Sequence, residues 1–369
     1  MSSIDGISRN SGPDGVGGGE ASVLPGSRGR AVHLVWVDYA KVLAVAIVLV
    51  VHLHYMGPWM LYMHLICMPM LFMLSGYLFS YRNNPRYGAF ALKRTRQLLV
   101  PYVWIGVLAF GWWVKWTRQM VQGQAVVPAE QVLWEGLVQG HPGMMGYDLA
   151  LWALLALYIA EMAYWPLARV VRPWVLAVAG LAAGALVSYL LRVGVVSEWP
   201  LCLSAAVGTF GYYALGHSLR LLQGRCPALA RFAGSPWLVI PFAGLLYWSA
   251  THFEEVPTCV FASWVNEPWY IVGTLSGAWL AVILCRMVAG IGKEPKWCKF
   301  VSVNSLLLCC LHLPVYDFWY GVIFATRHLY VAQIDRMPVL LAGILAGTLA
   351  IILPLTWLIR RYARWLVDK

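Results

Sequence analysis

Charge is what this 369-residue chain has least of: Asp, Glu, Lys and Arg together make up 12% of it, and only 16 residues are acidic. A soluble domain carries about 25% charged residues. The length would allow two or three soluble domains, but this composition could not clothe them in polar surface. Metal-site patterns are missing too. The eight cysteines (Cys67, Cys202, Cys226, Cys259, Cys285, Cys298, Cys309 and Cys310) include no C-x-x-C pair, and no histidine stands at zinc-site spacing from two of them. Most lie inside apolar runs and read as buried thiols, so neither a disulfide framework nor a structural metal is expected. There is no G-x-S-x-G elbow, no Walker A loop and no H-E-x-x-H, which removes the usual hydrolase, nucleotide-binding and zinc-protease readings. No N-x-[ST] glycan acceptor occurs either.

What the chain has instead is apolar mass. Hydrophobic residues reach 60%, with 20 Trp, 19 Tyr and 12 Phe. Residues 1–34, with Gly17-Gly18-Gly19 and almost no large side chains, read as a disordered cytoplasmic tail. They are not a signal peptide, because the apolar run starts late and no cleavage pattern follows it. From residue 35 to 369 the pattern reads as one membrane-embedded domain. A crossing needs about 20 mostly apolar residues, and ten runs qualify: 37–57, 64–81, 98–116, 148–167, 173–191, 200–219, 236–251, 268–286, 301–322 and 338–359. The expected fold is therefore an all-α polytopic membrane protein of about ten transmembrane helices.

The net charge of +11 has two readings, nucleic acid or topology, and position decides between them. With the N-terminus inside, 22 of the 27 Lys and Arg fall on inner segments; only Lys115, Arg118, Arg192, Arg327 and Arg336 fall outside. That asymmetry is the positive-inside pattern. It places both termini in the cytoplasm and leaves no nucleic-acid partner to expect; the partner is membrane lipid. The acidic residues Glu130, Glu135, Asp148, Glu198, Glu254, Glu255, Glu267 and Asp335 fall on the outer side. The longest outer connection, roughly 117–147, is of a length that usually carries function or disorder.

Ionisable residues inside apolar runs mark function by default. The first run holds Asp38, Lys41, His52 and His54. Asp38 and Lys41, three apart, share a helical face near the inner boundary, and their plain reading is an ion-paired anchor. His52 and His54, two apart, face opposite ways, which disfavours a shared metal. A helix puts Asp38 about 21 Å from His52, so any partner of that imidazole comes from another helix: Glu161, Asp317 or His312. The basic segment from Arg82 to Arg96 is either a lipid-headgroup anchor or a clamp for the phosphates of a soluble inner ligand.

Five stretches then form an ordered set. Val37-Asp38-Tyr39-Ala40-Lys41 followed by His52 comes first, and Met68-Pro69 through Ser75-Gly76-Tyr77 second. Lys93-Arg94 through Pro101-Tyr102 is third, Leu151-Trp152 to Tyr158 fourth, and Val303-Asn304-Ser305-Leu306 with His312 fifth. The set resembles the acyltransferase-3 family of integral-membrane O-acyltransferases, closest to members that decorate exopolysaccharide or other surface glycans. One departure stands out: relatives with this second-helix pattern carry His where this chain has Cys67, with His64 one turn earlier. The resemblance implies transfer of an acyl group, usually acetyl, from acetyl-CoA in the cytoplasm to a carbohydrate hydroxyl, in a bacterial-type inner membrane.

On that reading His52 is the base, with His312, Ser75 and Asn304 as further catalytic candidates. Lys41, Lys93, Arg94 and Arg96 would meet the phosphates of the donor. Two other readings stay open: an exporter of polysaccharide or lipid-linked sugar, and an inactive assembly partner.

Overall fold

The structure, a computed structural model, describes residues 34–53, 57, 59–118, 127–327, 331–334 and 336–364. The expected tail, His54 and Asp335 lie outside the described residues. From Val35 onward the chain is one compact unit, and its described residues are helical with no strand, apart from an isolated bridge between Thr258 and Ser263.

In chain order the helices are α1 (Val35–Val51), α2 (Trp59–Leu78), α3 (Tyr87–Trp116), α4 (Leu149–Val170), α5 (Pro173–Arg192) and α6 (Leu203–Arg225). Next come α7 (Pro227–Ala233), α8 (Val239–Ala250), α9 (Glu267–Ile291), α10 (Lys296–Val303), α11 (Ser305–Arg327) and α12 (Pro338–Tyr362). Among the described residues seven of these are long and apolar enough to cross a membrane, and the bent pair α7–α8, with its 48° break, makes at most an eighth. The sequence reading expected about ten. The difference lies in α1, which has 17 residues, and α6, whose 23 residues include buried Ser204, Thr209, Tyr212, Tyr213 and His217. Helix α6 is packed by α2, α4 and α5, so much of its surface meets protein and can be polar.

Two boundaries also differ from the expected runs. The basic segment at 93–96 is not a loop; it is the opening of the thirty-residue helix α3, with a π-turn at Thr95–Leu99. The run 301–322 is broken at Asn304 into α10 and α11.

Close packing of α2 on α6 rests on two glycines. A Cβ on Gly76 would collide with the carbonyl of Tyr213, and one on Gly216 with the carbonyl of Met73. Small residues let membrane helices approach backbone to backbone, where dispersion replaces the missing hydrophobic drive. This contact fixes the lateral position of Ser75 and Tyr213, which face the cavity described below.

The connection between α3 and α4 is described from residue 127, and from there it lies back along α3. Turns at Ala129–Gln131 and Val132–Val138 lie along α3, where Tyr102 Oη donates to the carbonyl of Leu137 at 2.9 Å. A Cβ on Gly106 would strike Leu137 and touch Leu151. Gly106 lies near the middle of α3, so this irregular backbone reaches well below the outer end of the helix. Its own loose ends are tied by Cys202 N–H donating to Gly140 O at 3.0 Å. Replacement of Gly76 or Gly216 by Leu should cost at least ~1–3 kcal/mol of overpacking. The check is thermal unfolding of the purified protein in detergent, where both variants lose several degrees and Gly111→Leu, in open space, loses little.

Candidate functional site

At the charged end of the bundle α1, α2, α3, α4, α6 and α11 enclose a cavity of about 380 Å³. Its rim is polar, with Lys41, Asn83, Asn84, Lys93 and Arg94; its depth is apolar, with Met68, Leu71, Leu154, Leu306 and Cys309. Such a gradient suits a ligand with an anionic head and a less polar arm. A second cavity of about 260 Å³ adjoins it through Arg94, Leu98 and Leu306, and adds Gln97, Asn304 and Arg360.

The cations of this rim are not equivalent. Arg94 spans Glu161 with Nε on one carboxylate oxygen and Nη2 on the other, while Nη1 donates to Gln97 at 2.9 Å. Glu161 is fully buried. A carboxylate in that position is tolerable only when paired and hydrogen-bonded, which is what the fork of an arginine supplies. Lys41, by contrast, lines the cavity without an ion pair or hydrogen bond to any described residue.

Above the cavity two imidazoles meet. His52, just past the last turn of α1, and His312, from the middle of α11, pack edge to face with ring centroids 4.9 Å apart. His52 Nδ1 lies 2.8 Å from the carbonyl of Val48. A carbonyl can only accept, so Nδ1 carries the proton and Nε2 presents the lone pair. His312 is 0% exposed, and its ring meets the carbonyls of Leu308 and Cys309 one turn back on its own helix, with no hydrogen bond to another helix among the described residues.

The pair is held by a stripe on α11. Ser305 and Cys309 line the cavity, His312 comes next, and Tyr316 and Tyr320 follow at helical spacing. Tyr316 Oη donates to Leu49 O at 2.8 Å, and Tyr320 Oη to Leu53 O at 2.9 Å. The cavity thus ends at Cys309, three residues or about 4.5 Å of helix rise short of His312.

Comparison with protein families agrees with this architecture. The family model described as "Acyltransferase domain" (Acyl_transf_3) matches residues 34–358, most of the chain. The chain belongs to the acyltransferase-3 family. No curated protein and no solved structure matches it significantly. The domain is that of a membrane acyltransferase, and it covers every residue of the cavity and the imidazole pair.

Within this acyltransferase the expected residues separate into groups. His52 and His312 come together; Lys41, Ser75, Lys93 and Arg94 line the cavity. Asn304 borders only the second cavity. Its Nδ2 donates to Phe300 O at 2.7 Å and its Oδ1 accepts from Arg360 Nε at 2.5 Å, so it closes the α10–α11 junction. Arg96, two residues from Arg94, points away and is exposed. Asp38 finds partners other than the expected Lys41: Ser302 Oγ donates to it, and Lys299 Nζ lies 3.3 Å away. It therefore docks α10 on α1. Cys67 is buried, its Sγ 3.6 Å from Ala44 O, and His64 bonds back to Met60 O at 2.9 Å; neither joins the imidazole pair in the described contacts. Of the cysteines read as buried, Cys226 is exposed.

Sequence reasoning missed Arg360, Gln97, Asn83, Asn84 and Tyr213 as cavity residues. It also missed the aromatic cluster of Phe79, Tyr164 and His217 that seats the loop after α2, with Tyr164 Oη and His217 Nδ1 2.6 Å apart. The Arg94–Glu161 pair yields a direct test. Removing one partner by Glu161→Leu strands a buried charge and should cost ~3–5 kcal/mol. Joining it with Arg94→Met should restore much of that stability, as read from unfolding in detergent.

Proposed function

We propose that this acyltransferase moves an acetyl group from acetyl-CoA to a hydroxyl of a surface carbohydrate, an exopolysaccharide or lipid-linked oligosaccharide. The observation that carries the reading is the alignment on α11: a basic-rimmed cavity whose apolar depth ends at Cys309, and the two imidazoles about one turn beyond it. The phosphates of the donor cannot enter hydrocarbon and would rest at the rim on Lys41 and Lys93, with Arg94 already committed to Glu161. From Lys41 to His52 is eleven residues, about 16 Å of helix, a distance that the pantetheine arm would have to bridge. Two elements support an acceptor arriving from the opposite side: the folded-back outer segment and the partial exposure of His52.

In this mechanism Nε2 of His52 takes the proton from the sugar hydroxyl as its oxygen attacks the thioester carbon. The C–S bond then breaks, and the proton passes to the departing thiolate. Imidazole suits this because it gains and loses a proton near neutral pH. His312 would donate to the oxygen on which charge develops, with Ser75 a second donor near the donor arm; its Oγ now bonds Leu71 O at 3.0 Å. Helices α1 and α6, which fall short of the seven, count as crossings here because neighbours cover them. That gives ten spans with cytoplasmic termini, in an inner membrane.

Two measurements test the proposal. Acetyl-ester content of the host's surface glycan should fall at least ~10²-fold with His52→Ala, while polymer export stays unchanged; retained esters with trapped polymer would instead mean export. Lys41→Ala should raise KM for acetyl-CoA more than it lowers kcat, since its contact is made equally in ground and transition states.

A further inference from the structure

A third cavity lies apart from the catalytic region and has a different character. It is a narrow apolar slot of about 80 Å³ between α2, α6, α7 and α9, walled by Met70, Met73, Leu222, Leu229, Ala278 and Val282. The short helix α7 forms one wall, tied across by Trp279 Nε1 donating to Ala233 O at 2.9 Å. Such a space fits the width of a hydrocarbon chain; a pyranose, broad and ringed with hydroxyls, would find almost nothing there to bond.

Polar groups gather at one end. Tyr77 donates to Gln223, which satisfies both. Arg286 is different: it lines the slot, is half-buried, and makes no hydrogen bond or ion pair with any described residue. Its guanidinium lies close beside Gly234, in the space that a Cβ there would occupy, and no carboxylate among the described residues neutralises it. Arg220, the next cation, is engaged by the carbonyls of Tyr77 and Phe79 at 3.1 and 3.3 Å. An unpaired guanidinium at the mouth of an apolar slot, at the charged end of the bundle, complements one kind of molecule: an acyl chain bearing a phosphate.

We infer that this slot binds one anionic phospholipid of the inner leaflet, its chain between α2, α6 and α9 and its phosphate on Arg286. The site is independent of the acyl-transfer reading and uses none of its residues. The test is native mass spectrometry of the full-length protein released from nanodiscs of equal phosphatidylglycerol and phosphatidylcholine. Wild type should retain one lipid enriched about fivefold in phosphatidylglycerol, the preference one arginine near a headgroup confers. Arg286→Gln should bring the ratio to that of the bulk, Arg286→Lys should keep part of it, and Ala278→Phe should expel the lipid. An unchanged ratio in Arg286→Gln overturns the assignment. So does a gain of bound lipid on deleting residues 1–33, which would make the chain's own N-terminal segment the occupant.

Discussion

Helix α1 ends at Val51, and that end is the constraint on which the site depends. Past Val51 the backbone amides turn tightly, with His52 N–H on Val48 O and Leu53 N–H on Val50 O. The carbonyls of Leu49 and Leu53 are thereby left without helical partners. In hydrocarbon a bare carbonyl is costly, because no water competes to bond it. Tyr316 and Tyr320 of α11 supply the two missing donors. The same helix face carries His312, so capping the end of α1 also sets one imidazole against the other. The geometry of the imidazole pair is thus a by-product of backbone satisfaction.

The buried charges serve a parallel purpose at the inner end. Asp38 and Glu161, both within apolar runs, look like functional carboxylates by the rule that ionisable residues in membranes mark sites. Each is instead consumed by a cross-helix partner: Asp38 by α10, Glu161 by the opening of α3. They draw the walls of the cavity together and leave its rim positive, since each neutralised carboxylate is withdrawn from the space that Lys41 and Lys93 face. A net positive rim attracts anions.

This division between scaffold and site governs how much the sequence could disclose. The apolar runs, the inner excess of Lys and Arg, and the ordered stretches from Val37 to His312 were legible, because hydrophobic length and charge position are local properties. Pairing was not. Asp38 and Lys41 stand three apart and seemed made for each other, yet Lys299 and Ser302, more than 260 residues away, hold the carboxylate. Arg94 and Arg96 look alike in a basic run, but two residues apart on α3 they face opposite ways, one to Glu161 and the other outward. His312 was among the possible partners of His52 only as one of three; what chose it, the tyrosine caps at i+4 and i+8, is visible once the break in α1 is known. Helix α6 is not among the seven clear spans because apolarity measures contact with lipid, and that helix meets mostly protein.

The folded-back outer segment completes the arrangement. Irregular backbone at this depth survives only where protein or water surrounds it, and Tyr102, Gly106 and Cys202 provide the protein side. The other side carries polar atoms that the protein does not satisfy: Tyr147 Oη, Asp148 Oδ2, His141 Nδ1 and Glu198 Oε2 are all buried without partners. His141 and Glu198 stand 3.7 Å apart, too far for a hydrogen bond between them. Burial raises the Glu198 carboxyl above its usual range, with His141 pulling the other way. Unsatisfied groups of this kind describe a polar pocket rather than a sealed apolar core.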